Sequence, residues 1–118
     1  MLILENNNHI IAGFTEIPDD IESFSKNYSN LSIFHNVKHC FRIVQVHGNI
    51  ILNTEDINKN TIADGMYTNN SNKLLITSHA DCIPVYFYSS NIVMLIHAGR
   101  VGIFKNIIEN ALDILKKY

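Results

Sequence analysis

Ile92-Val93-Met94-Leu95-Ile96-His97-Ala98-Gly99-Arg100-Val101-Gly102-Ile103-Phe104 is the stretch on which the fold turns. Its first five residues are an unbroken apolar run of strand length, which predicts a strand buried on both faces. A histidine and small residues end the run. Gly99 and Gly102 then open a helix, in which Ile103, Phe104, Ile107, Ile108, Ala111, Leu112 and Leu115 recur at helical spacing. Glu109, Asp113, Lys116 and Lys117 lie outside that stripe, and the two lysines suit the negative end of the helix dipole. A strand feeding a helix argues for α/β or α+β packing.

Outward from this stretch, residues 83–88 read as a second strand, with Pro84 near its start, where proline is tolerated. Ser89-Ser90-Asn91 joins the two as a hairpin connection. Residues 74–77 form a short apolar strand. Residues 41–46 alternate weakly and predict a strand ending at His47-Gly48, continued or restarted at 50–52. Ala63-Asp64-Gly65 is a turn signal, and 55–62 a loop or single helical turn. Residues 18–30 predict a short helix with Asp19, Asp20 and Glu22 in its first turn. Two apolar runs, 2–4 and 9–14, predict an N-terminal hairpin. No repeat or linker interrupts the 118 residues, which read as one domain.

Composition excludes several functions. Apolar residues make up 47% of the chain and charged residues 17%, a globular balance rather than a disordered one. A formal charge of −2 gives no electrostatic basis for binding nucleic acid. No apolar run approaches the ~20 residues that span a bilayer, so no membrane partner is expected. The start, Met1-Leu2-Ile3-Leu4-Glu5, lacks the basic region of a signal peptide, and a cytoplasmic location follows as the default. Cys40 and Cys82 are expected to be free thiols there. The abundant Asn and Ile match an AT-rich genome, so clusters such as Asn6-Asn7-Asn8 are loop filler.

Three segments bring a reactive side chain to the end of an apolar strand beside small residues: Val46-His47-Gly48, Ala80-Asp81-Cys82-Ile83 and Ile96-His97-Ala98-Gly99. Two imidazoles and a thiolate make a borderline-soft donor set that suits zinc, with copper the alternative. Three protein ligands leave the fourth tetrahedral position open, the arrangement of a catalytic zinc. The spacing is far wider than in a zinc finger, and from spacing alone half-buried histidines and a small core cysteine explain the pattern as well. A metal-free reading also stands: Cys82 as nucleophile, with His97, His47 or His79 as its base, in a hydrolase or amidase. Asp81 is a candidate to orient a histidine or hold a substrate hydroxyl. The Gly99-to-Gly102 turn, with Arg100, is a candidate anion site.

Four motifs then occur in one order: Gln45-Val46-His47-Gly48, Ala63-Asp64-Gly65-Met66-Tyr67-Thr68, Ala80-Asp81-Cys82-Ile83-Pro84-Val85 and His97-Ala98-Gly99, preceded by Gly13-Phe14-Thr15. In this the chain resembles the YfiH family, also called laccase-domain or polyphenol-oxidase proteins, which act as purine nucleoside phosphorylases. The resemblance implies an α/β (α+β) fold, a central mixed sheet with flanking helices. It implies a zinc site of His47, Cys82 and His97, and cytosolic phosphorolysis of adenosine, inosine and methylthioadenosine, with adenosine deamination as a side activity. Purine nucleoside and phosphate are the implied partners, and Asp81, Gly99 and Arg100 the residues nearest to them. The family pattern His-Ala-Gly-Trp-Arg-Gly reads His97-Ala98-Gly99-Arg100-Val101-Gly102 here, so an Arg stands in the place of the Trp. The family domain is about twice as long, which predicts a shortened member, catalytically active or a metal-binding remnant, with a self-associating surface. A copper oxidase is the least favoured reading, because multi-electron oxygen chemistry recruits several metals.

Overall fold

The computed structural model describes residues 2–6, 10–15 and 21–118. In chain order its elements are β1 (Leu2–Asn6), β2 (Ile11–Phe14), α1 (Ile21–Asn27), β3 (His39–Phe41), β4 (Ile51–Asn53), β5 (Gly65–Thr68), β6 (Lys73–Leu75), β7 (Ile83–Tyr88), β8 (Val93–Ala98), α2 (Arg100–Phe104) and α3 (Ile107–Leu115). The architecture is α+β. A mixed four-stranded sheet in the order β4-β5-β8-β7 is accompanied by an antiparallel β1-β2 pair and a parallel β3-β6 pair. Only the β4-β5 pairing of the larger sheet is parallel. The expected central mixed sheet with flanking helices is present.

β8 is covered on both faces, as its unbroken apolar run requires. On one face Met94, Ile96 and Ala98, with Ile92 just before the strand, meet Ile107 and Ala111 of α3. Strand alternation sends Leu95 and His97 to the other face, together with Met66, the partner of Leu95. There Ile43, Ala63 and Met66 form a second cluster with Phe41, Leu52, Ile57 and Leu75. Gly65 is needed where it stands: a Cβ would come within 2.6 Å of Ile96 Cδ1 and 2.9 Å of Ile51 Cγ1. β7 is the sheet edge, which is why Pro84, opposite His97, costs no ladder hydrogen bond.

The β7-β8 hairpin lies where the sequence predicts it, closed by a Ser89 N–H to Ile92 carbonyl bond of 2.9 Å. The N-terminal hairpin is also found as β1 and β2, although its connection at 7–9 lies outside the described residues. The helix expected at 18–30 is α1 followed by a 3-10 turn, Tyr28–Asn30; positions 18–20 lie outside the described residues.

Three expectations need correction. The strand predicted at 41–46 ends at Phe41, leaving a single parallel bridge between Val44 and Ile62. Beyond it side chains replace the ladder. The Gln45 amide exchanges two 2.8 Å bonds with the backbone of Ser78, and Asp64 takes the N–H groups of Val46, His47 and Gly48. The helix predicted from Gly99 to Leu115 is two helices, broken at Asn106, whose φ of 68° is left-handed. The break lets α2 rest on the His47–Gly48 loop while α3 covers β8. Gly102 makes that contact possible, since a Cβ there would meet the Gly48 carbonyl oxygen at 2.5 Å. Phe104, placed in the apolar stripe by periodicity, is consequently 79% exposed. Finally, Ala63-Asp64-Gly65 does bend the chain, at Asp64, but in the interior: all three residues are buried, and Gly65 begins β5.

Candidate metal centre

His97 stands near the end of β8, 4% exposed. Its backbone N–H donates to the Asp64 carbonyl at 2.7 Å, and its Nδ1 lies 2.7 Å from Asp64 Oδ2. With Nδ1 engaged by a carboxylate, Nε2 is the nitrogen left to bind anything else. His47 arrives from the opposite side, on the loop after Val44, with a φ of 61°. A left-handed histidine is costly, of order 1–3 kcal/mol, and such residues cluster at functional sites. Cys82 is half-buried on the loop that leads into β7.

These three side chains converge. One ligand atom from each of His47, Cys82 and His97 lies within 4.8 Å of the other two. The imidazole rings of His47 and His97 stand 4.9 Å apart, edge to face. Gly99 forms the floor of the cluster: a Cβ there would sit 2.9 Å from His47 Cδ2 and 3.3 Å from Cys82 Sγ. Two nitrogens and a sulfur around a space kept free of side-chain carbon suit zinc or copper in chemistry and in room. The Asp64–His97 pair is the carboxylate–histidine support that metal-binding imidazoles use.

Asp64 is the residue the sequence reading missed. It has no exposed surface, and its two oxygens accept four hydrogen bonds. Oδ1 takes the N–H of Val46 at 3.2 Å and of Gly48 at 2.8 Å. Oδ2 takes the N–H of His47 at 2.9 Å and faces His97 Nδ1. Burial, the largest influence, pushes its pKa up; the bonds from His97 and from the Gly48, Val46 and His47 backbone outweigh it. The net effect holds the carboxyl below the usual 3.8. The available signal was an acidic residue inside the run Ile62-Ala63-Asp64-Gly65-Met66, because a charge in apolar sequence must find partners.

The other candidates fall around this cluster. The His79 ring lies 5.1 Å from that of His97, and its Nε2 is 2.6 Å from Thr77 Oγ1. Burial lowers the His79 pKa, helped by His97; the Cys82 backbone opposes this without completing a hydrogen bond to the buried Nδ1. Asp81 and Arg100 flank the cluster in sequence, both exposed. Gly99 and Gly102, read from sequence as an anion-binding turn, each have a packing partner, and α2 is only five residues long. Cys40 stands apart as a half-buried thiol whose pKa is pushed by desolvation up to about 11, with Arg42 opposing.

Several known proteins are similar to this chain in sequence or in fold. Purine nucleoside phosphorylase Cj1217c of Campylobacter jejuni is 27% identical, covering 94% of this chain and 51% of its own length. Purine nucleoside phosphorylase YlmD of Staphylococcus aureus is 47% identical over 51 residues, which are 42% of this chain and 19% of that protein. Among solved structures, YlmD from Geobacillus stearothermophilus superposes with a TM-score of 0.62 at 28% identity, covering 80% of this chain and 40% of that one. Neisseria meningitidis protein NMB0706 shares the fold, with a TM-score of 0.66 at 22% identity. The chain thus spans about half the length of the Campylobacter relative. Residues 12–118 match the family described as multi-copper polyphenol oxidoreductase laccase, and the chain belongs to that YfiH, laccase-like family.

Proposed function

We propose that this chain carries the zinc centre of a cytosolic purine nucleoside phosphorylase, with His47, Cys82 and His97 as the metal ligands. The observation that carries the reading is the approach of those three ligand atoms to within 4.8 Å, from three separate segments. The Campylobacter and Staphylococcus relatives, both named purine nucleoside phosphorylases, support the reaction class. The borderline-soft donors favour zinc, with copper second.

Zinc held there would supply Lewis acidity. The chain's own residues do the rest. Asp64 holds the His97 ring by its Nδ1, and Gly99 keeps the floor of the site bare. Arg100, exposed at the first residue of α2, is assigned to phosphate, and Asp81, also exposed, to a ribose hydroxyl. A phosphate oxygen bonds to ribose C1′ as the C1′–N9 bond breaks. The products are ribose 1-phosphate and the free purine, which takes a proton. Holding phosphate against C1′ supplies proximity and orientation, the main physical levers for such a transfer. Adenosine, inosine and methylthioadenosine are the expected substrates. Adenosine deamination, with water adding at purine C6 and ammonia leaving, is the expected side activity.

The test is phosphate-dependent release of hypoxanthine from inosine by purified, zinc-loaded protein, with loss of release in Cys82→Ala. Folded, zinc-loaded protein that cleaves none of the three nucleosides would overturn the proposed activity.

One observation favours a second reading. Cys82, His97 and Asp64 also have the makings of a nucleophile, base and orienting carboxylate. His47 has no task in that arrangement, although it converges on the same atoms, so the metal reading is preferred. Rapid alkylation of Cys82 by iodoacetamide, unchanged by zinc or chelator, would reverse the preference.

A further inference from the structure

We propose that Asp64 is the positioning residue of the site: one carboxylate sets the tautomer of His97 and the backbone shape of the His47 loop. The inference rests on the trio being a metal site, and it deepens that reading by saying why the trio is assembled before metal arrives.

The argument begins with where His47 is. Its φ of 61° turns three successive N–H groups, from Val46, His47 and Gly48, toward one point. Such a concave run of donors makes a site for an anion. Asp64 is that anion, supplied from β5's N-terminal end and fully buried. It makes the left-handed turn tolerable, and without it three donors would lose their acceptor. Each buried group left unpaired costs roughly 1–3 kcal/mol.

The same carboxylate settles His97. Asp64 Oδ2 can only accept, so the proton between it and His97 sits on Nδ1. The lone pair of the neutral ring is therefore on Nε2. An amide in place of the carboxylate would not do both jobs. Its single oxygen could still serve two of the N–H groups of the loop, but its NH2 end would face His47 N–H and His97 Nδ1. The ring would then move its proton to Nε2 to accept from that NH2, and the nitrogen meant for the metal would lose its lone pair. Two of the three ligands, His47 and His97, thus depend on one buried side chain.

The test uses two readouts. The first is long-range 1H–15N NMR of the metal-free wild-type protein at pH 8, which reports the His97 tautomer directly. Protonation at Nδ1 is expected; an Nε2-protonated ring would overturn the proposal without bearing on whether the trio binds zinc. The second is zinc affinity by competition with a chromogenic chelator, for wild type and Asp64→Asn. A folded Asp64→Asn protein is expected to bind zinc roughly 10–100-fold more weakly, with its His97 proton on Nε2. Unchanged affinity and unchanged tautomer in the folded variant would show Asp64 to be structural only. If Asp64→Asn does not fold, the wild-type tautomer still decides. If wild type binds no zinc, the reading of the trio fails while the tautomer result stands.

Discussion

At the scale of single residues, the centre depends on groups of two kinds: those that point inward and those that keep the space clear. His47, Cys82 and His97 were singled out from sequence because each stands at a strand end beside small residues, and the order of four motifs, not their spacing, gave the trio its weight. Asp64 was not, because Ala-Asp-Gly is also what a surface turn looks like, and only the fold shows four donors meeting it. Its depressed pKa has a consequence for stability. A carboxyl lowered in the folded state stabilises fully above its unfolded value near 3.8 and loses that contribution as pH falls through the folded value. Acid titration of the metal-free protein, followed by circular dichroism, should show stability falling as pH drops below that value, with the carboxylate-linked part missing in Asp64→Asn. Gly99→Ala puts a methyl 2.9 Å from His47 Cδ2 and should weaken zinc binding by roughly ten-fold or more, leaving Tm nearly unchanged. The two thiols should also separate. Cys40, pushed up to about 11, is expected to alkylate slowly at pH 8, whether or not zinc is present.

At the scale of elements, strands bounded by turn residues were well marked, and the β7-β8 hairpin is the clearest case. What periodicity could not show is a change of partner within one apolar stripe. Residues 100–115 keep helical spacing throughout, yet α2 packs on the Gly48 backbone and α3 on β8. Asn106 is the residue that allows the change, since Asn tolerates a left-handed backbone better than most. Asn106→Ala should cost about 1–2 kcal/mol in denaturant unfolding, and Asn106→Gly little or nothing. Ile107→Ala, at a site with no exposed surface, should cost about 2–5 kcal/mol. The strand expected at 41–46 failed for a related reason: its backbone groups are met by Gln45 and Asp64 side chains, a solution no propensity scale encodes.

At the scale of the whole molecule, order along the chain carried more than any single motif. Each motif is weak alone, but four in sequence picked out the family, and residues 12–118 match it. Surface character was less legible. An amphipathic pattern does not say which apolar residues find a partner, and Val101 (48% exposed), Ile103 (46%) and Phe104 (79%) all stand open on α2. Three such residues on one short helix form an exposed apolar patch, and self-association through it is the expectation to test. Light scattering across a concentration series should show mass rising with concentration, and Phe104→Ser should reduce the rise. A constant monomer mass in both proteins would show the surface to be inert. The central claim is that this fold gathers His47, Cys82 and His97 around one ion. Elemental analysis of the purified protein, beside folded Cys82→Ala, tests it most directly. The account predicts about one zinc per chain in the first, bound by three protein ligands, and almost none in the second. Equal zinc in both, or none in well-folded wild type after incubation with zinc, would contradict it.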